Sequence, residues 1–172
     1  MVIAVREAAA ADAALLSRLA TETFYETYSW YNTPENMREY TQTHFSESRT
    51  SSELAEQGTH FIIAFADEEP AGYAKMRSTE NPPELQGKKH IEIERIYVSK
   101  KMQGHKIGFA LMSKCFEMAR SQKLDVIWLG VWEKNTRALA FYRQVGFTGF
   151  GDHIFLLGQD EQLDHLLKFD LH

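Results

Sequence analysis

Glu92 and Glu94 lie two apart in IEIERIYV, a run whose Ile, Tyr and Val content reads as a β-strand. A carboxylate there can accept a proton if burial raises its pKa, or stay ionised and order a water. Strand side chains alternate faces, so Glu92 and Glu94 are expected to share a face with Ile96 and Val98. Ile91, Ile93, Arg95 and Tyr97 then take the other. A solvent-facing position, or pairing with Arg95 or a lysine, accounts for either glutamate as simply. Gln103–Leu111 follows, reading QGHKIGFAL, and opens a helical pattern with Ile107, Leu111, Cys115 and Met118 on one face. Gln103, Gly104, His105, Lys106, Ile107, Gly108 and Phe109 therefore sit where free N–H groups and the positive end of a helix dipole can seat phosphate oxygens. An ordinary strand-to-helix turn would look much the same. Gly104 and Gly108 let backbone approach a ligand. Positive φ is unfavourable for Lys106, so the turn is expected to be one a non-glycine residue tolerates. Tyr142, a neutral phenol, is an acid candidate and equally a core aromatic, because Ala138, Tyr142 and Val145 form an apolar stripe.

The chain that positions these residues has 172 of them, 44% hydrophobic and 25% charged, the profile of one folded domain over 1–172. Val2–Arg6 reads as a strand and Ala10–Tyr28 as a helix. Thr33 can cap a second helix over Glu35–Phe45, with Pro34 at its first position. The polar run Ser46–Ser52 separates it from a short helical stretch ending near Gln57. A hairpin follows, His60–Ala66 and Ala71–Arg77, then a loop over Thr79–Lys89. The strand His90–Val98 leads into the glycine-containing turn and its helix. After them come a strand over Asp125–Trp132, a helix over Asn135–Val145, and strands over Phe147–Leu157 and Leu163–Leu171. This order predicts a mixed α/β sheet with helices on both faces.

A formal charge of −5 argues against nucleic acid or an anionic membrane as partner and suits a cationic substrate. Cys115 is the single cysteine, which excludes an intrachain disulfide; on its apolar stripe it is expected to pack as a small hydrophobe. The seven histidines show no metal-binding spacing, so no metal is expected. No apolar run approaches a membrane span and no signal pattern opens the chain, which makes the cytoplasm the expected location. Monomer and homodimer are both compatible with these residues.

QGHKIG resembles the Gln/Arg-x-x-Gly-x-Gly/Ala loop of the GNAT superfamily, acetyltransferases that cradle the pyrophosphate of coenzyme A there. Gln103 and Gly108 match the ends of that motif, and Lys106 stands where its first glycine is usual. The element order is similar to the GNAT fold from end to end. The runs ETF at Glu22–Phe24, PENMREY at Pro34–Tyr40, EIERIYV at Glu92–Val98, WLGVWEKN at Trp128–Asn135 and AFY at Ala140–Tyr142 resemble the PaiA-type branch, which acetylates spermidine and spermine.

The resemblance implies a mostly antiparallel sheet whose fourth and fifth strands splay into a V that takes acetyl-CoA as co-substrate. It implies backbone contacts to the cofactor at Ile96, Tyr97 and Val98, with the oxyanion donor at the Val98 N–H. Further cofactor contacts are implied along Gln103–Phe109 and at Asn135, Ala138, Tyr142 and Arg143. Tyr142 would be the acid, Glu92 or Glu94 the proton relay, and direct amine attack the reaction. Glu22, Glu26, Tyr28 and Trp30, on and after the first helix, are the expected seat of a small amine, with a polyamine first in line. A solvated acidic face explains the two glutamates there just as well. Acetylation of a protein N-terminus or another small amine, and acyl-CoA binding with little turnover, are the alternative functions.

Overall fold

The computed structural model describes all residues from Met1 to His172. Seven strands form one sheet: β1 (Ile3–Glu7), β2 (Thr59–Ala66), β3 (Glu69–Arg77), β4 (His90–Val98), β5 (Val126–Trp132), β6 (Thr148–Leu157) and β7 (Asp160–Asp170). Their spatial order is β1-β2-β3-β4-β5-β7-β6. Every neighbouring pair is antiparallel except β4 and β5. That pair meets at His90–Val126, Ile91–Ile127 and Glu92–Trp128 and then parts, so the sheet opens toward the C-terminal ends of both strands.

Five helices cover the sheet: α1 (Ala13–Tyr28), α2 (Pro34–His44), α3 (Glu47–Ala55), α4 (Ile107–Ser121) and α5 (Thr136–Val145). Thr33 caps α2 by accepting from the Asn36 amide at 3.1 Å, with Pro34 first in the helix, as the sequence predicts. Ser46 caps α3 in the same way, accepting from Arg49 at 3.2 Å. The polar run Ser46–Ser52 is thus mostly helix. Its serines and threonine face water or bond back to the preceding turn, as Thr50 does to the Ser46 carbonyl. The last strand starts at Asp160 rather than Leu163, because the β6–β7 turn is tight, with Gly158 at φ 63°. No helix is long and apolar enough to cross a membrane.

Two apolar cores lie on opposite faces of the sheet. One gathers Ile91, Ile93, Ile107, Leu111, Cys115 and Tyr142 under α4 and α5. The other gathers Leu16, Phe24, Tyr28, Met37, Tyr73 and Trp132 under α1 and α2. Cys115 is fully buried, and burial pushes its thiol up to about 12, so it packs as a hydrophobe.

Strict alternation along β4 does not hold. Lys75 pairs with Arg95 and Met76 with Ile93, which leaves Glu94 as the extra residue of a β-bulge. The bulge reverses the facing beyond it. Ile96 and Val98 join Ile91 and Ile93 against the α4 core, whereas Tyr97 packs with the α1 core. Glu92, Glu94 and Arg95 all turn to Lys75, Arg77 or Glu53. The expected grouping of the two glutamates with Ile96 and Val98 is therefore wrong.

Candidate active site

The parting of β4 and β5 opens a cavity of about 720 Å³, reached by α1, α2, α3, α4 and α5 as well as by β6 and β7. One wall is backbone. The Ser99 amide donates to the Ala71 carbonyl at 2.9 Å, toward β3. Residues alternate in direction along a strand, so the Val98 N–H and carbonyl point to the opposite edge, which β5 has left. The Val98 carbonyl accepts from Gln103 Nε2 at 3.3 Å, tying the start of the turn to the end of β4. Ile96, two residues earlier, presents its backbone to the same edge.

The turn ends at the N-terminus of α4. The first helical amide with a partner is that of Ala110, which donates to the Lys106 carbonyl at 3.1 Å. The amides of Ile107, Gly108 and Phe109 have no acceptor in the chain, and all three residues line the cavity with Gln103, Gly104 and Lys106. Three free N–H groups and the helix dipole suit a diphosphate. A Cβ on Gly108 would stand 3.3 Å from the Phe141 ring, so this glycine also sets the approach of α4 to α5. Lys106 caps α4 at φ 65°, ψ 16°, in the left-handed region that is unfavourable for a lysine, contrary to expectation. Lys106→Gly should therefore raise unfolding free energy by about 0.5–1 kcal/mol, since relief of left-handed strain outweighs glycine's added chain entropy. Urea denaturation checks this, and equal or lower stability would show that the turn is unstrained.

Charged groups crowd the α1-facing side of β4. Glu53 of α3 lies 2.8 Å from Lys75 Nζ and 2.7 Å from Arg95 Nη2. Lys75 is also 2.5 Å from Glu94 Oε2, outside hydrogen-bond angles, and Arg77 is 2.7 Å from Glu92 and 3.2 Å from Glu94. Burial raises the Glu92 carboxyl above its usual range, with Arg77 opposing. Burial also pushes on Glu94, but Arg95, Lys75 and Arg77 outweigh it and hold Glu94 low. Both glutamates are ion-paired and both line the cavity.

On the α4 side of the sheet, Tyr142 is buried in the core yet reaches the cavity. Burial keeps its phenol well above the ordinary range, so it stays protonated. Asn135 spends its side chain on capping α5, accepting from the Ala138 amide at 3.2 Å, and both residues line the cavity. His105 and Arg143 lie outside the lining. Of the expected acceptor residues, Tyr28 and Glu26 line the cavity. The Tyr28 hydroxyl is 3.2 Å from that of Tyr97. Glu26 accepts from the Lys100 amide and so braces α1 against the turn. Glu22 is exposed on α1 and Trp30 is 81% exposed, and neither lines the cavity.

Several lining residues escaped the sequence reading: Glu53, Arg77, Lys134, Arg137, His153 and Asp164. Gly130 was the available signal for Asp164, because a glycine inside an apolar strand marks a close approach. A Cβ there would stand 3.1 Å from His153 Cε1 and 3.3 Å from Asp164 Oδ2.

The sequence model described as the acetyltransferase (GNAT) family matches residues 19–147. An uncharacterised N-acetyltransferase of the pepI 3' region of Lactobacillus delbrueckii subsp. lactis is 37% identical over 150 residues, 87% of each chain. N-alpha-acetyltransferase RimI of Mycobacterium tuberculosis is 32% identical over 99 residues, 58% of each chain. Among solved structures, PaiA N-acetyltransferase from Thermoplasma acidophilum in complex with coenzyme A superposes with a TM-score of 0.81 at 20% identity, covering 99% of both chains.

Proposed function

The chain belongs to the GNAT family of acetyltransferases, and on that premise we propose that it acetylates a primary amine, spermidine or spermine, by direct attack on acetyl-CoA. The observation that carries this reading is the opening between β4 and β5, with free amides at one end and Tyr142 on its wall. Ile107, Gly108 and Phe109 would hold the diphosphate through their N–H groups. The backbone of Ile96 and Val98 would hold the pantetheine arm, beside Tyr97, Asn135 and Ala138. The thioester supplies an acyl carbon open to attack and a thiolate leaving group.

The chain's own side chains handle the protons. An alkylammonium with a pKa near ~10.4 must lose a proton before it can attack. Glu92, raised by burial, is the carboxylate of the β4 pair able to take one, whereas Glu94 stays ionised among Lys75, Arg77 and Arg95. Tyr142 donates a hydrogen bond to the sulfur as negative charge develops, and the Val98 N–H does the same for the carbonyl oxygen. Support for a polyamine comes from the mixed lining of carboxylates and aromatic rings, Tyr28, Tyr31, Trp132 and Phe155 among them. The partial match to N-alpha-acetyltransferase RimI favours a second reading, a peptide N-terminus as acceptor. Coenzyme A release with a panel of amines and peptides, followed by mass spectrometry, separates the two. Acetylspermidine is the expected product. A clear preference for peptides would replace the polyamine assignment.

A further inference from the structure

The carboxylates that line the cavity are not confined to β4. Asp164 projects from β7, where it pairs in register with Trp132 of β5 and His153 of β6. Its carboxylate stands over Gly130, where a Cβ would come within 3.3 Å of Asp164 Oδ2. Gly130 lies two residues beyond Trp128, the partner of Glu92, as Glu94 lies two beyond Glu92. Asp164 and Glu94 therefore belong to walls on opposite sides of the opening. Aromatic rings line the space with them: Tyr28 and Tyr31 pack on Trp132 with centroids 5.1 and 4.9 Å apart.

Unlike Glu92 and Glu94, Asp164 is held by no lysine or arginine. The titratable groups facing it are His153 from β6, His165 from its own strand and Tyr28 from α1. His165 is engaged elsewhere, with Nδ1 2.6 Å from Asp152 Oδ1. Burial raises the Asp164 carboxyl to about 6, with the two histidines opposing. It is mostly ionised at neutral pH and above.

We propose that Asp164 receives a second ammonium group of the acceptor, so that diamines and longer polyamines are preferred over monoamines. This rests on the amine-acetyltransferase reading above. A chain with charges at both ends and methylenes between them meets its complement in two separated carboxylate stations and the aromatic wall near them. A monoamine can satisfy one station and leaves the other empty.

The test compares putrescine with n-propylamine as acceptors for the full chain and for Asp164→Asn and Asp164→Glu, at slightly alkaline pH. Loss of one charge-assisted contact should raise KM for putrescine about tenfold to hundredfold in Asp164→Asn. The kcat/KM for propylamine should be unchanged, and Asp164→Glu should recover part of the putrescine KM. Equal effects on both amines, or none on putrescine, would overturn the proposal. If the wild-type protein acetylates neither amine, the assay with spermidine decides the parent reading, and calorimetric binding of putrescine decides this one. Weaker binding by Asp164→Asn supports it and equal binding overturns it. Should Asp164→Asn fail to fold, Gly130→Ala, which crowds Asp164, is held to the same two kinetic outcomes.

Discussion

Tyr142→Phe should lower kcat about a hundredfold to a thousandfold and leave acetyl-CoA affinity nearly unchanged, the usual cost of deleting one donor aimed at developing charge. The substitution removes one oxygen from a residue that otherwise packs in the α4 core, so the fold has no reason to move. Burial holds the phenol protonated far above neutral pH, and the hydroxyl is therefore a donor throughout the working range. As the carbon–sulfur bond breaks, charge grows on sulfur, and a donor matters more there than in the ground state. That difference is what separates kcat from affinity. Steady-state kinetics with equilibrium binding of acetyl-CoA read both quantities. An unchanged kcat would return Tyr142 to the role of a core aromatic.

Glu53→Ala should cost about 3–5 kcal/mol of stability, because it strands two buried cations. The Glu53 side chain is 4% exposed, and those of Lys75 and Arg95 are 4% and 9% exposed. Glu94 alone cannot balance both. Arg49→Ala is the control: its side chain is 54% exposed, and losing its 3.1 Å contact to Glu53 should cost less than about 1 kcal/mol. The network also sets an acid limit. Burial works to raise the Glu53 carboxyl, but Arg95 and Lys75 outweigh it and its folded pKa lies below the ordinary value of 4.5. The unfolded chain therefore binds the proton more readily, so this stabilisation is complete above pH 4.5 and is lost as pH falls through the folded pKa. Urea titrations at neutral pH and near pH 4 measure both effects. Equal, small losses for the two variants would mean that the network contributes nothing to folding.

Local chemistry made much of this architecture legible. Thr33-Pro34 announced the start of α2, and the spacing of Ile107, Leu111, Cys115 and Met118 gave α4 its buried face. The opening of the sheet followed from resemblance, since no local pattern says where two strands part. The bulge at Glu94 was illegible because alternation assumes a constant period. One extra residue, fixed only by pairing with Lys75 and Met76, turned the face of everything after it. Lys106 took left-handed backbone because the fold, rather than local preference, decides that turn. Trp30 looked like an acceptor wall by proximity to Tyr28, but α1 gives way to a short tight turn at Ser29–Tyr31 and the indole swings out to solvent. Asp164 was hidden by distance along the chain: β7 comes last and only the sheet order brings it to Gly130.

A crystal structure of the protein with coenzyme A tests the central claim most directly. The diphosphate should lie on the amides of Ile107, Gly108 and Phe109, with the pantetheine arm running along Ile96 and Val98 and the sulfur beside Tyr142. A nucleotide bound elsewhere, with those amides facing water or protein, would contradict the account.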